Sequence, residues 1–487
     1  MGRLAIRRRR RVLLAIAGSL VTVGLAVGIF LGPRWRREVI LRALASGNDA
    51  KVAWAARRLK KQPDQGVGLL LGQVGRRGER FDVRVADYLE EIGQADRLPV
   101  ELRVRAALEK LADPLRATVG FARLLELPAD GLAPLLKQAV SLEGLALHRA
   151  AMACVELDAE ASRDQANLLL EQDSPRAWRL GLALLGALGE EEGIESIRAG
   201  LSNPDPSVRA EAVRSLARVR GRQCRHDLAH QLGDPSEVVR LAVLAAAVKV
   251  FKAEDGALLQ PALTDEAENV RAHAVLVLAS LGASQQAEAI GSLVADPSPR
   301  VREAVAVALA ALDGDRALEM HLTLSRDESP DVRRAAAAAL AERCDDDRAR
   351  AALFRLAGDD SLEAARAAYG ALAGSPQPDV LSFFILELTN DRPSWALDPL
   401  PPETAGASPK PVPFGALACC ALRWLTGKEL GYHWRASPQT RREAQQRWQD
   451  WVARTGAEID LSRTPRPEGL VNYEHLLRRM PWPPDRP

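Results

Sequence analysis

The sequence predicts an all-α fold, an α-solenoid of antiparallel helix pairs with about 31 residues per pair. Three observations predict it. A Val-Arg dipeptide recurs at one fixed spacing, aromatic residues make up only 4% of the chain, and the apolar residues around each Val-Arg fall at helical intervals.

Composition sets the class. The chain has 487 residues, too many for one simple core, so it requires a repeat array or several domains. Hydrophobic residues are 47% and charged residues 27%, ordinary for a folded chain. An interior rich in Ala, Leu and Val and poor in rings suits closely packed helices better than a β-sandwich. The 66 basic and 64 acidic residues leave a net charge of +2. That balance provides no global field for nucleic acid, and none is expected as a partner. The five cysteines (Cys154, Cys224, Cys344, Cys419 and Cys420) are odd in number, scattered and without a C-x-x-C pair. They exclude a disulfide framework and read as small buried core residues.

The N-terminus reads as a membrane anchor. Residues 1–11 form a basic segment with Arg3 and an unbroken run from Arg7 to Arg11. Val12 to Leu31 are 20 uncharged, mostly apolar residues, and a signal-anchor helix is expected over 12–32. Three arginines follow, Arg34, Arg36 and Arg37, with Trp35 at the interface position. The positive-inside rule keeps the short N-terminus in the cytoplasm. It places the protein in the inner (plasma) membrane as a single-pass chain with its repeats on the outer or periplasmic side. A cleaved secretory signal stands as an alternative, with Ala26-Val27-Gly28 as the nearest approach to a cleavage site. So does a twin-arginine signal at Arg10-Arg11, and so does a reversed, cytoplasm-facing topology.

Residues 33–170 read as degenerate helical repeats, among them the basic amphipathic stretch 48–61 and a weak motif copy from Glu143 to Arg149. The regular array spans 171–375. Val-Arg stands at Val208-Arg209, Val239-Arg240, Val270-Arg271, Val301-Arg302 and Val332-Arg333, each arginine 31 residues after the last. Six positions before these arginines stand Asn203, Asp234, Asp265, Asp296 and Asp327, with Pro following at Pro204, Pro235 and Pro297. A carboxylate before Pro caps orphan amides, and Pro suits the first turn of a helix. The residue before each arginine, the third after and the seventh after share one small, apolar helix face. A second amphipathic stretch precedes it in each unit, as from Arg316 to Leu324. One such pair cannot bury its stripe alone, so the pairs must stack. The expected structural ladder is Asp234, Arg240, Asp265, Arg271, Asp296, Arg302, Asp327 and Arg333, each arginine pairing with an aspartate of its own or the next turn. The rival reading of these arginines, a basic stripe for phosphates, is disfavoured by the regular aspartates.

The pattern resembles the HEAT family, in particular its short phycobilisome-lyase-like form. The residues that carry the resemblance are D-P-S-E-V-V-R at 234–240 and D-P-S-P-R-V-R at 296–302, with the A-x-x-x-L continuation. The resemblance covers about 170–375. It implies stacked helix pairs with an extended concave binding surface, and it is specific for fold rather than function.

Residues 376–413 are read as a linker or loop, with seven prolines between Asp391 and Pro413. A small helical C-terminal cap is expected over 414–460, built from L-T-G at 425–427 and W-x-x-W at 448–451. The tail 461–487 is Pro- and Arg-rich and read as extended. Trp424, Tyr432, Trp434, Trp448 and Trp451 either seal this segment onto the last repeat or form a peptide-docking surface.

The sequence carries no catalytic signature. Gly427-Lys428 has Leu422 where a phosphate loop needs Gly and Glu429 where it needs Ser or Thr. His226 and His230 share a helix face near Cys224 and Asp227, but exposed helix surface is the plainer reading. Deoxyhypusine hydroxylases, an enzymatic HEAT family, hold iron through His-Glu pairs, and no His-Glu dipeptide occurs here. No cofactor or metal is expected. The expected function is a membrane-anchored scaffold for a protein partner, with Glu211, Glu303 and Arg334 on the binding face. The alternative is a lyase-type HEAT enzyme or enzyme subunit.

Overall fold

A computed structural model describes residues 38–455 except 39, 46–48, 60–66, 68–69, 75, 78, 311–314 and 398–410. The chain divides into two compact units, the first ending at Val219 and the second beginning at Arg220.

The first unit contains α1 (Asp49–Leu59), α2 (Glu79–Glu91), α3 (Val100–Ala112), α4 (Ala117–Leu125), α5 (Leu132–Ala139), α6 (Gly144–Leu157), α7 (Ala159–Leu170), α8 (Pro175–Leu188), α9 (Ile194–Gly200) and most of α10 (Pro206–Arg220). Its first core joins Leu44, Ala55, Phe81, Val85, Leu89 and Ala106, all buried. Small residues let the later helices approach closely. Ser215 of α10 donates its hydroxyl to the Leu182 carbonyl of α8 at 2.8 Å.

The second unit alternates short and longer helices. They are α11 (Arg225–His230), α12 (Glu237–Val250), α13 (Gly256–Leu259), α14 (Glu268–Ser280), α15 (Ala287–Ser292), α16 (Pro299–Leu309), α17 (Asp315–Leu324), α18 (Pro330–Leu340), α19 (Asp347–Ala357), α20 (Leu362–Ala373) and α21 (Pro378–Glu387). The even-numbered helices α12 to α20 are the second helices of successive pairs, and each packs on the next. The periodic stripe forms their core: Val239, Val243 and Ala247, then Val270, Ala274 and Leu278, then Val301, Val305 and Leu309, then Val332, Ala336 and Leu340 are all buried. The first helices α11, α13 and α15 are short and adjoin 3-10 turns such as Gln231–Gly233 and Leu293–Ala295. The prolines of the Asp-Pro pairs stand in the turns, while Pro299 and Pro330 occupy the first helical turn.

Residues 376–413 differ from the linker reading. Val380, Leu381, Phe384 and Ile385 recur at helical spacing, and they bury one face of α21. Strands β1 (Pro393–Leu397) and β2 (Pro411–Pro413) then pair antiparallel, adding a small sheet to a helical fold. They lead into α22 (Phe414–Thr426) and α23 (Pro438–Thr455). The core of α20 and α21 continues into these helices through Tyr369, Phe384, Phe414, Leu417 and Trp448.

The membrane placement is corrected. No helix among the described residues is long and apolar enough to cross a membrane. The physical reason is that repeat helices must keep one face charged, whereas a spanning helix needs about 20 apolar residues. The longest described helix, α23, has 18 residues and carries Arg441, Arg442, Glu443, Arg447, Asp450 and Arg454. Residues 12–31 lie outside the described residues, as do the tail residues 461–487.

Close helix contact makes a testable prediction in the first unit. A Cβ built on Gly120 of α4 would lie 2.5 Å from the Leu111 amide nitrogen and 2.6 Å from the Ala107 carbonyl oxygen of α3. Backbone cannot yield as a side-chain tip does, so Gly120→Ala should destabilise by about 1–3 kcal/mol. Gly374→Ala, which meets nothing closer than 3.6 Å, should change stability by less than about 0.5 kcal/mol. Urea unfolding followed by far-UV circular dichroism measures both.

Candidate functional site

The surface most ordered by the repeat is built by the second helices of the second unit, and the ladder arginines set its register. Arg271 contacts Asp296 through both ends of its fork, Nε to Oδ2 at 2.8 Å and Nη2 to Oδ1 at 2.9 Å. Its remaining nitrogen, Nη1, donates to the carbonyls of Asp265 at 2.8 Å and Glu266 at 3.1 Å in its own turn. Arg302 repeats this arrangement on Asp327 at 2.7 and 2.8 Å, with Nη1 on the Asp296 and Pro297 carbonyls. Arg333 repeats it on Asp359 at 2.8 Å for both bonds. Arg240 lies 2.7 Å from Asp265 and caps the Asp234 carbonyl at 2.8 Å.

The carboxylate therefore comes from the next repeat, and the arginine's own turn supplies only carbonyls. Each aspartate is also occupied inside its own turn. Asp234, Asp265, Asp296, Asp327 and Asp359 accept the amide two residues on, at 2.8–2.9 Å. These are Asx turns ahead of the helix, not side-chain N-caps. Arg350 shows the same geometry one element later, on Asp379 at 2.8 Å and the Cys344 carbonyl at 2.8 Å. The first unit reverses the direction: Arg179 of α8 pairs back to Glu143 at 2.9 Å.

The fork fixes the neighbouring second helices in matching register. Asn269 of α14 donates to Glu237 of α12 at 2.9 Å and accepts from Arg300 of α16 at 2.7 Å. Arg334 of α18 reaches Glu303 of α16 at 2.5 Å. Beside this polar row runs an apolar one. The fifth residue after each ladder arginine (Ala245, Leu276, Val307 and Ala338) is exposed on four consecutive second helices. Leu276 is 41% and Val307 52% exposed, with Val238 and Val248 of α12 at 56% and 55%.

Other sequence-predicted residues fall elsewhere. Glu211 does not reach a surface: it is fully buried in the first unit, 3.1 Å from His148 and 3.1 Å from Arg214. Burial raises its pKa, with Arg214 acting in the opposite direction. Glu211 stands two residues after Arg209, a position that matches the buried Ala242, Ala304 and Ala335, whereas Glu303 stands only one residue after Arg302. Trp448 is fully buried and Tyr432 nearly so, and burial pushes the Tyr432 phenol up. Trp424, Trp434 and Trp451 are half-buried. His226 and His230 sit exposed on α11. Among the described residues, no group of three or more His, Cys, Asp or Glu is arranged to hold a metal. Sequence reasoning missed the exposed apolar row. Its signal was present, because Leu276 and Val307 stand 31 apart outside the buried stripe.

A family model described as HEAT repeats matches residues 166–248, 194–267, 255–320 and 321–396. Residues 166–396 are HEAT repeats. This HEAT-repeat segment contains every Arg–Asp fork of the second helices. A comparison with curated proteins returned no match. Among solved structures the HEAT-repeat chain is similar to YibA of E. coli, at 16% identity over 55% of this chain and 89% of that one, with a TM-score of 0.35. It is similar to human deoxyhypusine hydroxylase in complex with glycerol, at 20% identity over 58% and 97%, with a TM-score of 0.23. It is also similar to the karyopherin Kap121p bound to the extreme C-terminus of the phosphatase Cdc14p, at 15% identity over 92% and 55%, with a TM-score of 0.39. It spans about half the length of that karyopherin chain.

The ladder makes stability of the HEAT repeats pH-dependent. Burial pushes the carboxyls of Asp296, Asp327 and Asp359 up, but the facing arginine and the turn amide outweigh it and hold all three below their ordinary value. A carboxyl with a depressed folded pKa contributes stability above its unfolded pKa of about 3.9. That contribution is lost as pH falls through the folded value. The thermal midpoint should be flat from pH 8 to 5 and fall steadily below about pH 4. Replacing Arg302 by Gln should make the acid fall shallower, because Asp327 then titrates closer to its unfolded value. A midpoint that held or rose on acidification would contradict the ladder's electrostatic role.

Proposed function

We propose that this HEAT-repeat chain is a scaffold that binds an extended segment of a protein partner along its second helices. The observation that carries the reading is the exposed row Ala245, Leu276, Val307 and Ala338, with Val248 at one end. In the HEAT family the second helices line the concave face. Leu276 and Val307, at one register position, leave about half of their surface uncovered by the fold itself, and an apolar strip rimmed by polar side chains is the usual mark of a protein contact. The rim is supplied by Glu237, Asn269 and Arg300 on α12 to α16, and by Glu303 and Arg334 on α16 and α18. These groups already satisfy one another across neighbouring helices. The row is thus held in place before any partner arrives, which lowers the entropy lost on binding.

A rigid, evenly spaced strip favours a partner in an extended or regularly helical form. Such a partner places an apolar side chain at each second helix, which are about 8–10 Å apart by ordinary helix packing. The partner segment crossing the four helices then needs about 25–30 Å of length, or roughly eight to nine extended residues.

A photo-crosslinking residue at position 276 or 307 in the full chain should capture a protein partner. One at position 288, on first helix α15, should capture none at that site. The double variant Leu276→Asp with Val307→Asp should abolish capture while leaving the thermal midpoint within a few degrees, because both side chains are exposed. Equal capture at position 288, or capture that survives the double substitution, would refute the second-helix surface as the binding face.

A further inference from the structure

The arginines of the HEAT ladder are consumed by carboxylates and carbonyls, which leaves no guanidinium there for an anion. One other cluster is different. Between first helices α17 and α19 lies a cleft of about 350 Å³ lined by Glu319, Leu322, Thr323, Arg326, Arg348, Ala351, Ala352 and Arg355. Three arginines against one glutamate leave the lining with two positive charges.

The three arginines are not equivalent. Arg348 is neutralised, 2.6 Å from Glu319 and 2.8 Å from Asp346. Arg355 is held by hydroxyl and carbonyl oxygens rather than by a carboxylate: its Nη2 donates to Ser325 Oγ at 2.7 Å and more weakly to the Ser325 carbonyl at 3.4 Å. Asp359 is the acid whose charge reaches Arg355, and its two oxygens are already engaged by the Arg333 fork. Arg326 has no side-chain acceptor among the described residues, and its like charge acts directly on Arg355. Two guanidiniums thus line one cleft, and among the described residues no carboxylate is hydrogen-bonded to either. Arg326 also falls outside the repeat pattern. The positions that match it in the preceding repeats are Ala295, Thr264 and Gly233, so the repeat's own packing does not call for an arginine here.

We propose that the cleft between α17 and α19 binds a phosphomonoester, with Arg326 and Arg355 as its paired donors. A phosphomonoester carries about −1.5 to −2 at neutral pH, which matches the two positive charges of the lining better than a single carboxylate does. Guanidinium forks match the geometry of its oxygens, and two of them converging on one cleft let both be used. Thr323 stands in the same wall, its hydroxyl engaged with the Glu319 carbonyl at 3.0 Å. The site lies on first helices and is independent of the second-helix strip, so either can fail without the other. The same chemistry is offered by a phosphorylated serine or threonine of a protein and by a free phosphate compound.

Isothermal titration of the full chain at low ionic strength separates these sources. The probes are inorganic phosphate, N-acetyl-O-phosphoserine amide and, as control, N-acetylserine amide. Wild type should bind one or both phosphate probes below about 1 mM and the serine control not at all. Tighter binding of the phosphoserine probe supports the site with a phosphorylated chain as its ligand; equal or tighter binding of inorganic phosphate supports it with a free phosphate. Arg326→Gln should weaken binding about tenfold or more without moving the thermal midpoint, since this residue is exposed. Arg355→Gln should weaken it as well, and Arg316→Gln, on α17 but outside the cleft, should not. Failure of wild type to bind either phosphate probe, or unchanged binding in Arg326→Gln, overturns the proposal.

Discussion

The Arg–Asp fork between successive repeats is the constraint on which the second unit depends. Each fork joins two helix pairs, closes a turn and fixes a helix register at once. Its arginine is nearly buried: the side chains of Arg240, Arg271 and Arg302 are 6%, 13% and 9% exposed. A guanidinium at that depth is costly unless its donors are used, and in Arg271 and Arg302 the carboxylate takes one edge while two carbonyls take the other nitrogen. Because the aspartate also holds its own turn through the amide two residues on, the bond cannot shift by one residue without orphaning a buried group. Apolar stripes alone would tolerate some slippage between helices packed through Ala and Val. The fork does not.

Much of this was legible in the sequence, for a definable reason. Interactions that repeat leave a period, and the 31-residue spacing of Arg209 to Arg333 reported both the helix pair and its buried stripe. Partner choice was harder to read. An Asp six residues before an Arg is equally close, in sequence terms, to pairing with its own turn. Only the stacking decides that the carboxylate 25 residues downstream wins. The aspartate's role in an Asx turn was also hidden, because an N-cap and an Asx turn use the same residue at nearly the same place. Degenerate stretches were read less well. The prolines at 391–413 pointed to a linker and masked α21, whose Phe384 and Ile385 complete the core. Glu211 was placed on the binding face, yet it shares its register with the buried Ala242, Ala304 and Ala335 and is itself buried against His148 and Arg214. The aromatic residues near the C-terminus could not be sorted by type: the same W-x-x-W holds a buried Trp448 and a half-buried Trp451.

A fold that spends its repeated charges on its own joints leaves its other residues to carry function. In the second unit those residues form two distinct surfaces. The second helices offer an apolar row within a self-satisfied polar rim, suited to burial against protein. The cleft beside first helices α17 and α19 offers a pair of arginines, Arg326 and Arg355, that no carboxylate among the described residues hydrogen-bonds. The contrast follows from one rule: a side chain repeated at a buried position serves the stack, and one that breaks the repeat at an exposed position is free for another task. The rule is specific to repeat architectures, where each unit contacts only its neighbours and surface positions diverge independently.

A double-mutant cycle on Arg302 and Asp327 tests the central claim most directly. Arg302→Met, Asp327→Ala and the double variant would be unfolded in urea and their free energies compared with the parent chain. If the fork joins the repeats, the pair should show a coupling energy of about 2–3 kcal/mol. Asp327→Ala alone should then cost about 3–5 kcal/mol, because it strands a buried guanidinium. A coupling within about 0.5 kcal/mol of zero would mean that the two side chains act independently, and that the apolar stripe alone sets the stack.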